Sequence, residues 1–372
     1  MLEDAHDVRV VELLHQRDLL LERAHALVLL ARLHVVQPDL LHREQLARDL
    51  VEAHEHLAEG AAADHLADAE HCYLDLLTAL LDHQQVRLVC RDAASEQRIR
   101  ALAAERSLDT TRLELIIADY NDTWARDFGP IAVEDDGSVE LMDYTFTGWG
   151  GKFDADQDNT LNRRLPWQLP LHSQSLVLEG GAIDTDGQGN LLTTRHCLRN
   201  PNRNPDLSEE ELTTLLKKQL GVTDIWWLDH GELEGDDTDA HVDTLARFVD
   251  ARTIAYVQCR DHDDNHYTSL AAMEQELQQL ADQHNLTLVP LPLPTAQYNR
   301  EGERLPATYA NFLITNEKIL LPVYGCDTDQ HAIDALQAVA GNRIVTPVNC
   351  RVLIEQHGSL HCVTMQLPRG AV

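Results

Sequence analysis

From residue 73 onward, short apolar runs alternate with longer stretches in which apolar residues recur every three or four positions. The first pattern fits strands and the second fits helices. The spacing predicts helices over 73–83, 94–106, 208–220, 267–284 and 328–340. It predicts strands at VRLVC (86–90), LELIIA (113–118), VELMDYTF (139–146), DIWWL (224–228), TIAYVQC (253–259), LTLVPL (286–291), KILLPV (318–323), RIVTP (343–347) and HCVTMQL (361–367). Alternating elements of this kind place the chain in the α/β class. Periodicity alone does not separate a doubly wound sheet from a propeller of repeated units.

Residues 1–72 follow another pattern. Val11, Leu14, Leu19, Leu21, Leu27 and Leu30 recur at roughly helical spacing, which predicts a helical hairpin broken near Pro38. This stretch lacks Phe, Trp, Tyr, Ser, Thr, Asn and Lys, and is rich in His. The chain therefore divides into an atypical helical, His-rich segment (1–72) and an α/β domain (73–372). An added helical extension or a shifted reading frame would each give such a segment, and the missing residue types favour the shifted frame.

Charge narrows the partners. The formal net charge is −32 over 372 residues. Such a surface repels nucleic acid and anionic membranes and suits a small cation. The cysteines, Cys72, Cys90, Cys197, Cys259, Cys326, Cys350 and Cys362, contain no CxxC pair. Neither a disulfide framework nor a structural zinc site is expected. Glu3, Asp4 and Asp7 stand where a secretory leader would be basic, and Arg32 and His34 interrupt the longest apolar stretch. The expected setting is cytoplasmic, with reduced thiols.

Four segments carry candidate chemistry. Cys362 follows His361 in GSLHCVTMQLP; taken alone it would be a small buried residue on a strand. The other three segments supply what a nucleophilic thiol needs. His241 and Asp243 in GDDTDAHVD lie two apart, and on a strand both would face one pocket. A solvated acidic turn is the plainer alternative. A calcium loop fails for want of the glycine and closing glutamate at the right offsets. Asp127 in NDTWARDFGP follows Arg126, and on an extended segment the two would point apart, with Arg126 away from the pocket. Trp124 in the same segment fits either a cation's face or the core. Glu179 in LEGG closes an apolar strand, where a turn carboxylate is the ordinary role. A thiol, a His-x-Asp pair and two further carboxylates together suit nucleophilic attack on a cationic carbon centre.

Several long segments in order, these four with GWGGKFDADQDN (148–159), CLRNPNRNPDLS (197–208) and ANFLITNEKILLPVYGCDTD (310–329), give the chain a family resemblance. From about Tyr73 to Pro368 it resembles the agmatine deiminases, within the guanidine-modifying (pentein) superfamily that includes the Porphyromonas-type peptidylarginine deiminases. The resemblance implies a five-bladed, pseudo-symmetric α/β-propeller with its site on the central axis. It implies Cys362 as nucleophile, His241 as general acid and base, Glu179 as the group orienting His241, and Asp127 and Asp243 as the guanidinium clamp. Trp124 and Asp237 would contact substrate. The implied substrate is a small cationic guanidine, agmatine, hydrolysed to N-carbamoylputrescine and ammonia without metal or organic cofactor. Another arginine derivative as substrate, or an inactive binding homologue, stays open, as does self-association into a homo-oligomer. One departure stands out. Relatives commonly read Gly-Gly-Gly-Asn-Ile-His-Cys where this chain has Gln356-His357-Gly358-Ser359-Leu360-His361-Cys362.

Overall fold

Apolar runs that are buried along their whole length form the centres of small sheets. The computed structural model describes residues 6–11, 68–135 and 137–371. The strands are β1 (His6–Val11), β2 (Val86–Cys90), β3 (Leu113–Ile117), β4 (Ile131–Asp135), β5 (Ser138–Thr145), β6 (Leu171–Val177), β7 (Ile183–Thr185) and β8 (Asn190–Thr194). They continue as β9 (Asp224–Leu228), β10 (Ala246–Asp250), β11 (Thr253–Gln258), β12 (Thr287–Pro292), β13 (Leu313–Ile314), β14 (Lys318–Val323), β15 (Ile344–Asn349) and β16 (Thr364–Pro368). Every residue of β2 and β11 is buried, as are the four central residues of β14. That is the pattern of strands covered on both faces, so their sequences read as continuous apolar runs.

The strands form five separate sheets: β4-β5-β6, β7-β8-β9, β10-β11-β12, β13-β14-β15 and β16-β1-β2-β3. Four repeat one plan. The first strand pairs antiparallel with the second, and the second pairs parallel with the third. A parallel partner requires a crossover, and helical segments supply it. They are Asp158–Arg164 before β6, Glu209–Leu220 before β9, Tyr267–His284 before β12 and Asp329–Gln337 before β15. Ala93–Glu105 plays the same part between β2 and β3. The ends of these helices are written in the sequence. Ser208 and Glu211 form a capping box, and Gly221 closes that helix in the left-handed conformation. On Tyr267–His284, Leu270, Met273, Leu277 and Ala281 form the buried stripe. This five-unit α/β architecture is that of the pentein fold.

The chain's two ends meet in the fifth sheet. β1 lies between β16, its antiparallel partner, and β2, its parallel partner. The helical expectation for 1–72 therefore needs correction at His6–Val11, which is extended because it fills this sheet. Helix also covers residues 68–80. The expected hairpin around Pro38 lies outside the described residues. The last strand also starts later than expected, at Thr364. The backbone N–H groups of His361 and Cys362 bond to the Asn311 side chain instead of a neighbouring strand.

Candidate functional site

Each unit delivers a polar side chain from the segment just ahead of its first strand. Asp127 precedes β4, Glu179 precedes β7, His241 and Asp243 precede β10, Asn311 precedes β13, and His361 and Cys362 precede β16. Asp127 sits in a single helical turn, Ala125–Phe128, and not on the extended segment expected for it. His241 and Asp243 are not on a strand either. Val242–Thr244 is a short 3-10 turn, entered through Asp239 and Ala240 at φ 67° and 64°. Left-handed backbone at two consecutive non-glycine residues is strained, and such strain gathers at sites that need a fixed geometry.

Gly181 marks where these segments converge. A methyl group in place of its hydrogen would lie 2.6 Å from His241 Nδ1, 2.7 Å from Asp127 Oδ1 and 3.1 Å from Asp243 Oδ2. Only glycine permits that approach. Its own N–H donates to Asp127 Oδ1 at 2.9 Å, and the Trp149 indole donates to Asp127 Oδ2 at 2.9 Å. Asp243 Oδ2 lies 2.7 Å from His361 Nδ1. Three buried polar atoms, Asp243 Oδ1 and both ring nitrogens of His241, have no hydrogen-bond partner among the described residues. The nearest carboxylate oxygen to His241 is Asp127 Oδ1, 3.6 Å from Nδ1.

The nucleophile candidate is fixed from behind. Cys362 Sγ lies 3.5 Å from Asn311 Oδ1, the oxygen that also accepts the His361 and Cys362 N–H groups, and Asn311 Nδ2 donates to the Asp243 carbonyl at 3.3 Å. Arg126 N–H donates to the Cys362 carbonyl at 3.0 Å. The Arg126 side chain turns to the His361 carbonyl, Met365 and Gln366, and makes no ion pair with Asp127. Trp124 is 6 % exposed and packs so closely on the nucleophile loop that a Cβ at Gly358 would lie 2.2 Å from its ring.

Glu179 is fully buried, and both its oxygens accept from Arg203 Nε, at 3.1 and 2.9 Å. It makes no hydrogen bond to His241, the partner expected for it. Arg203 also reaches Asp239 at 2.6 Å and the Thr238 carbonyl at 2.8 Å, tying the NPNRNP loop to the acidic loop. Glu179, Cys197 and His241 offer three donor atoms within 4.8 Å of one another, a geometry a metal could use. The Arg203 guanidinium already supplies the positive charge there, so a metal would be added beside a buried cation. Asp237, expected to contact substrate, is half-buried on that acidic loop, and Lys152 holds its carbonyl at 2.7 Å.

Burial sets the protonation states. It pushes Asp127 well above the usual carboxylate range, with Asp243 adding repulsion. Burial likewise raises Asp243 to about 7 against the pull of Arg247 and Arg126, and raises Glu179 despite Arg203. It lowers both His241 and His361 well below the ordinary imidazole value. It raises the Cys362 thiol, as do Asp243 and Asp127. The arrangement is two neutral imidazoles, a protonated thiol and carboxylates whose ionisation awaits a cation.

Sequence reasoning passed over Asn311, Cys197 and Arg203, and gave the GWGGK loop no catalytic role, counting its Trp149 only among the groups around the substrate's tail. For Asn311 the signal was the repeat itself, because the unit opening at β13 should also deliver a polar residue ahead of its first strand.

Comparison with known proteins follows the same lines. The family model for Porphyromonas-type peptidyl-arginine deiminases matches residues 51–368. The agmatine deiminase of Stutzerimonas stutzeri is 32% identical over 333 residues, covering 82% of this chain and 89% of its own. A structure of a Cys-to-Ser variant of C. jejuni agmatine deiminase with substrate bound has a TM-score of 0.75 at 36% identity, covering 81% of this chain and 87% of that one. A Porphyromonas gingivalis structure, provisionally described as an arginine deiminase, has a TM-score of 0.76 at 46% identity, covering 81% and 90%.

Proposed function

The chain belongs to the Porphyromonas-type peptidyl-arginine deiminase family, and we propose that it hydrolyses the guanidine C–N bond of agmatine through a covalent Cys362 intermediate. One observation carries this reading. Asp243 Oδ1 and both nitrogens of His241 are buried without hydrogen-bond partners, around a point where Asp127 and Asp243 converge. Buried polar atoms of this kind take their partners from water or from a ligand that enters the site. A planar guanidinium offers N–H donors to two carboxylates at once and relieves their desolvation.

The residues then divide the chemistry. Asp127 and Asp243 hold the guanidinium and fix its plane. His241 takes the thiol proton as Cys362 sulfur bonds to the guanidine carbon. It passes that proton to one amino group, and the C–N bond breaks as ammonia leaves. The S-alkylthiouronium that remains is attacked by water, whose proton His241 accepts. The C–S bond breaks, giving N-carbamoylputrescine and the free cysteine. The substrate's own charge makes the carbon electrophilic. Glu179 and Arg203 act from behind, fixing the acidic loop that ends at His241.

Agmatine fits better than an α-carboxylate substrate. The half-buried carboxylates around the site are Asp236, Asp237 and Asp239. Arg304 is engaged by Asp264 at 2.7 Å, and Lys152 by Asp239, on the acidic loop, at 2.8 Å. Two of the relatives above are agmatine deiminases. Among the described residues no helix is long and apolar enough to cross a membrane.

The test is product formation with agmatine, together with the mass of the acid-quenched protein. Ammonia and N-carbamoylputrescine should appear, with a thiouronium adduct on the peptide holding Cys362. Cys362→Ser should lose at least about 10³-fold in turnover, because an alkoxide forms far less readily than a thiolate. Substantial turnover by that variant would remove the covalent step.

A further inference from the structure

His357 occupies a backbone position that favours glycine. Its φ is 69° and its ψ −1°, a left-handed conformation uncommon for residues with a side chain. What the side chain brings is a long-range contact. His357 Nδ1 lies 2.6 Å from the carbonyl oxygen of Gly235. A carbonyl only accepts, so Nδ1 carries the proton and donates. Residue 357 begins the loop that ends in Cys362, and Gly235 begins the acidic loop that ends in His241. The contact joins the two catalytic segments at their far ends.

The acidic loop is held at other points as well. A Cβ on Gly235 would sit 2.4 Å from the Arg304 carbonyl, so the loop's start is pressed against residues 304–306. The Asp236 carboxylate accepts from Thr238 and Ala240 N–H within the loop. Lys152 takes the Asp239 carboxylate at 2.8 Å and the Asp237 carbonyl at 2.7 Å. Among the described residues, the Asp237 carboxylate joins no ion pair; Lys152 and Arg203 pair with Asp239 instead. Glycine at 357 would hold the same backbone without strain and would lose the clasp.

We propose that His357 is a positioning residue that clasps the acidic loop onto the nucleophile loop and so presents Asp237 to the ammonium at the far end of the substrate. This rests on the agmatine reading above. The experiment compares kcat/KM for agmatine with that for n-butylguanidine, which keeps the guanidine and ends in a methyl group. Wild type, His357→Gly and His357→Ala are measured with both, alongside their melting temperatures. Wild type should prefer agmatine. Both variants should lose about tenfold of that preference, as a misplaced binding group does. His357→Gly, freed of backbone strain, should melt at or above wild type, and His357→Ala should melt below His357→Gly. An undiminished preference in His357→Gly overturns the clasp alone. So does a loss confined to His357→Ala, which would trace to strain. A wild type with no preference for agmatine overturns the substrate reading itself, and the clasp with it.

Discussion

His361 Nδ1 lies 2.7 Å from one oxygen of Asp243, while the other Asp243 oxygen has no hydrogen-bond partner. Burial keeps His361 neutral, and once Asp243 ionises the imidazole Nδ1–H donates to it. One half of the carboxylate is thereby fixed in place and the other half is left unpartnered, as the proposed guanidinium clamp requires.

A pH dependence follows. Burial raises Asp243 from 3.8 to about 7, whereas an agmatine guanidinium, like that of arginine, stays protonated throughout this range. The clamp forms only when Asp243 is ionised, so kcat/KM should rise with pH through about 7. Stability should move oppositely. Between about pH 4 and 7 the folded state keeps a proton that the unfolded chain has lost, so ionisation opposes folding increasingly until about pH 7. Asp243→Asn should therefore melt above wild type at pH 8, by up to about 4 kcal/mol, and converge with it near pH 4. Its kcat/KM should fall by at least about 30-fold, a loss of about 2–5 kcal/mol being usual for a broken buried charge contact. A pH–rate profile and melting curves across pH check both. A flat acid limb would remove Asp243 from the clamp.

Gly181→Ala tests the convergence point. The added methyl would meet His241 Nδ1, Asp127 Oδ1 and Asp243 Oδ2 at 2.6, 2.7 and 3.1 Å. The backbone there is not left-handed, so alanine adds no conformational strain. Turnover should fall by about 10²-fold or more, as small misplacements of reacting groups produce. Melting should drop by only about 1–3 kcal/mol, the range for overpacking. Activity near wild type would mean that the three groups do not act at one point.

Arg203 is the structural counterpart of the clamp. It satisfies Glu179 and Asp239 from a fully buried position. Arg203→Met keeps the length and removes the charge, leaving Glu179 uncompensated. The expected destabilisation is about 3–5 kcal/mol, read by chemical denaturation. Because Glu179 would then take up a proton more readily, the loss should be smaller at pH 5 than at pH 8. Unchanged melting would mean that the pair does not hold the NPNRNP loop.

What could be read in the sequence divides along physical lines. Central strands such as β2, β11 and β14 are buried on both faces, so their apolar runs gave them away. β6 (LHSQSLV) is largely exposed, and β10 (ARFVD) buries Arg247 against Asp184 at 3.2 Å, which breaks an apolar pattern. Both went unseen. At the candidate site, Cys362, His241, Asp127, Asp243 and Glu179 lie in compact motifs that could be read, and the family resemblance supplied their roles. Asn311 and Arg203 did not, since their partners are 50 and 24 residues away in sequence. The strand assigned to His241 and Asp243 failed because side-chain caps and left-handed residues, and not apolar alternation, shape that loop.

Substrate choice is the last expectation. Free arginine and a C-terminal arginine carry a carboxylate where agmatine has none. Placing it near Asp237 and Asp239 without a free cation adds repulsion to desolvation. Lys152 is held by Asp239 at 2.8 Å, and Arg304 is engaged by Asp264 and, at 3.4 Å, by Glu234. Neither is free to pair with a carboxylate. Agmatine should therefore exceed free arginine in kcat/KM by at least about 10²-fold, roughly 3 kcal/mol. Ammonia release measured with agmatine, arginine and a C-terminal-arginine peptide gives the ratios. Turnover of arginine or the peptide at or above that of agmatine would reverse the assignment. It would also implicate the exposed Arg300, or Arg304 after it leaves Asp264, in binding the carboxylate, and Arg300→Ala or Arg304→Ala should then abolish that turnover selectively.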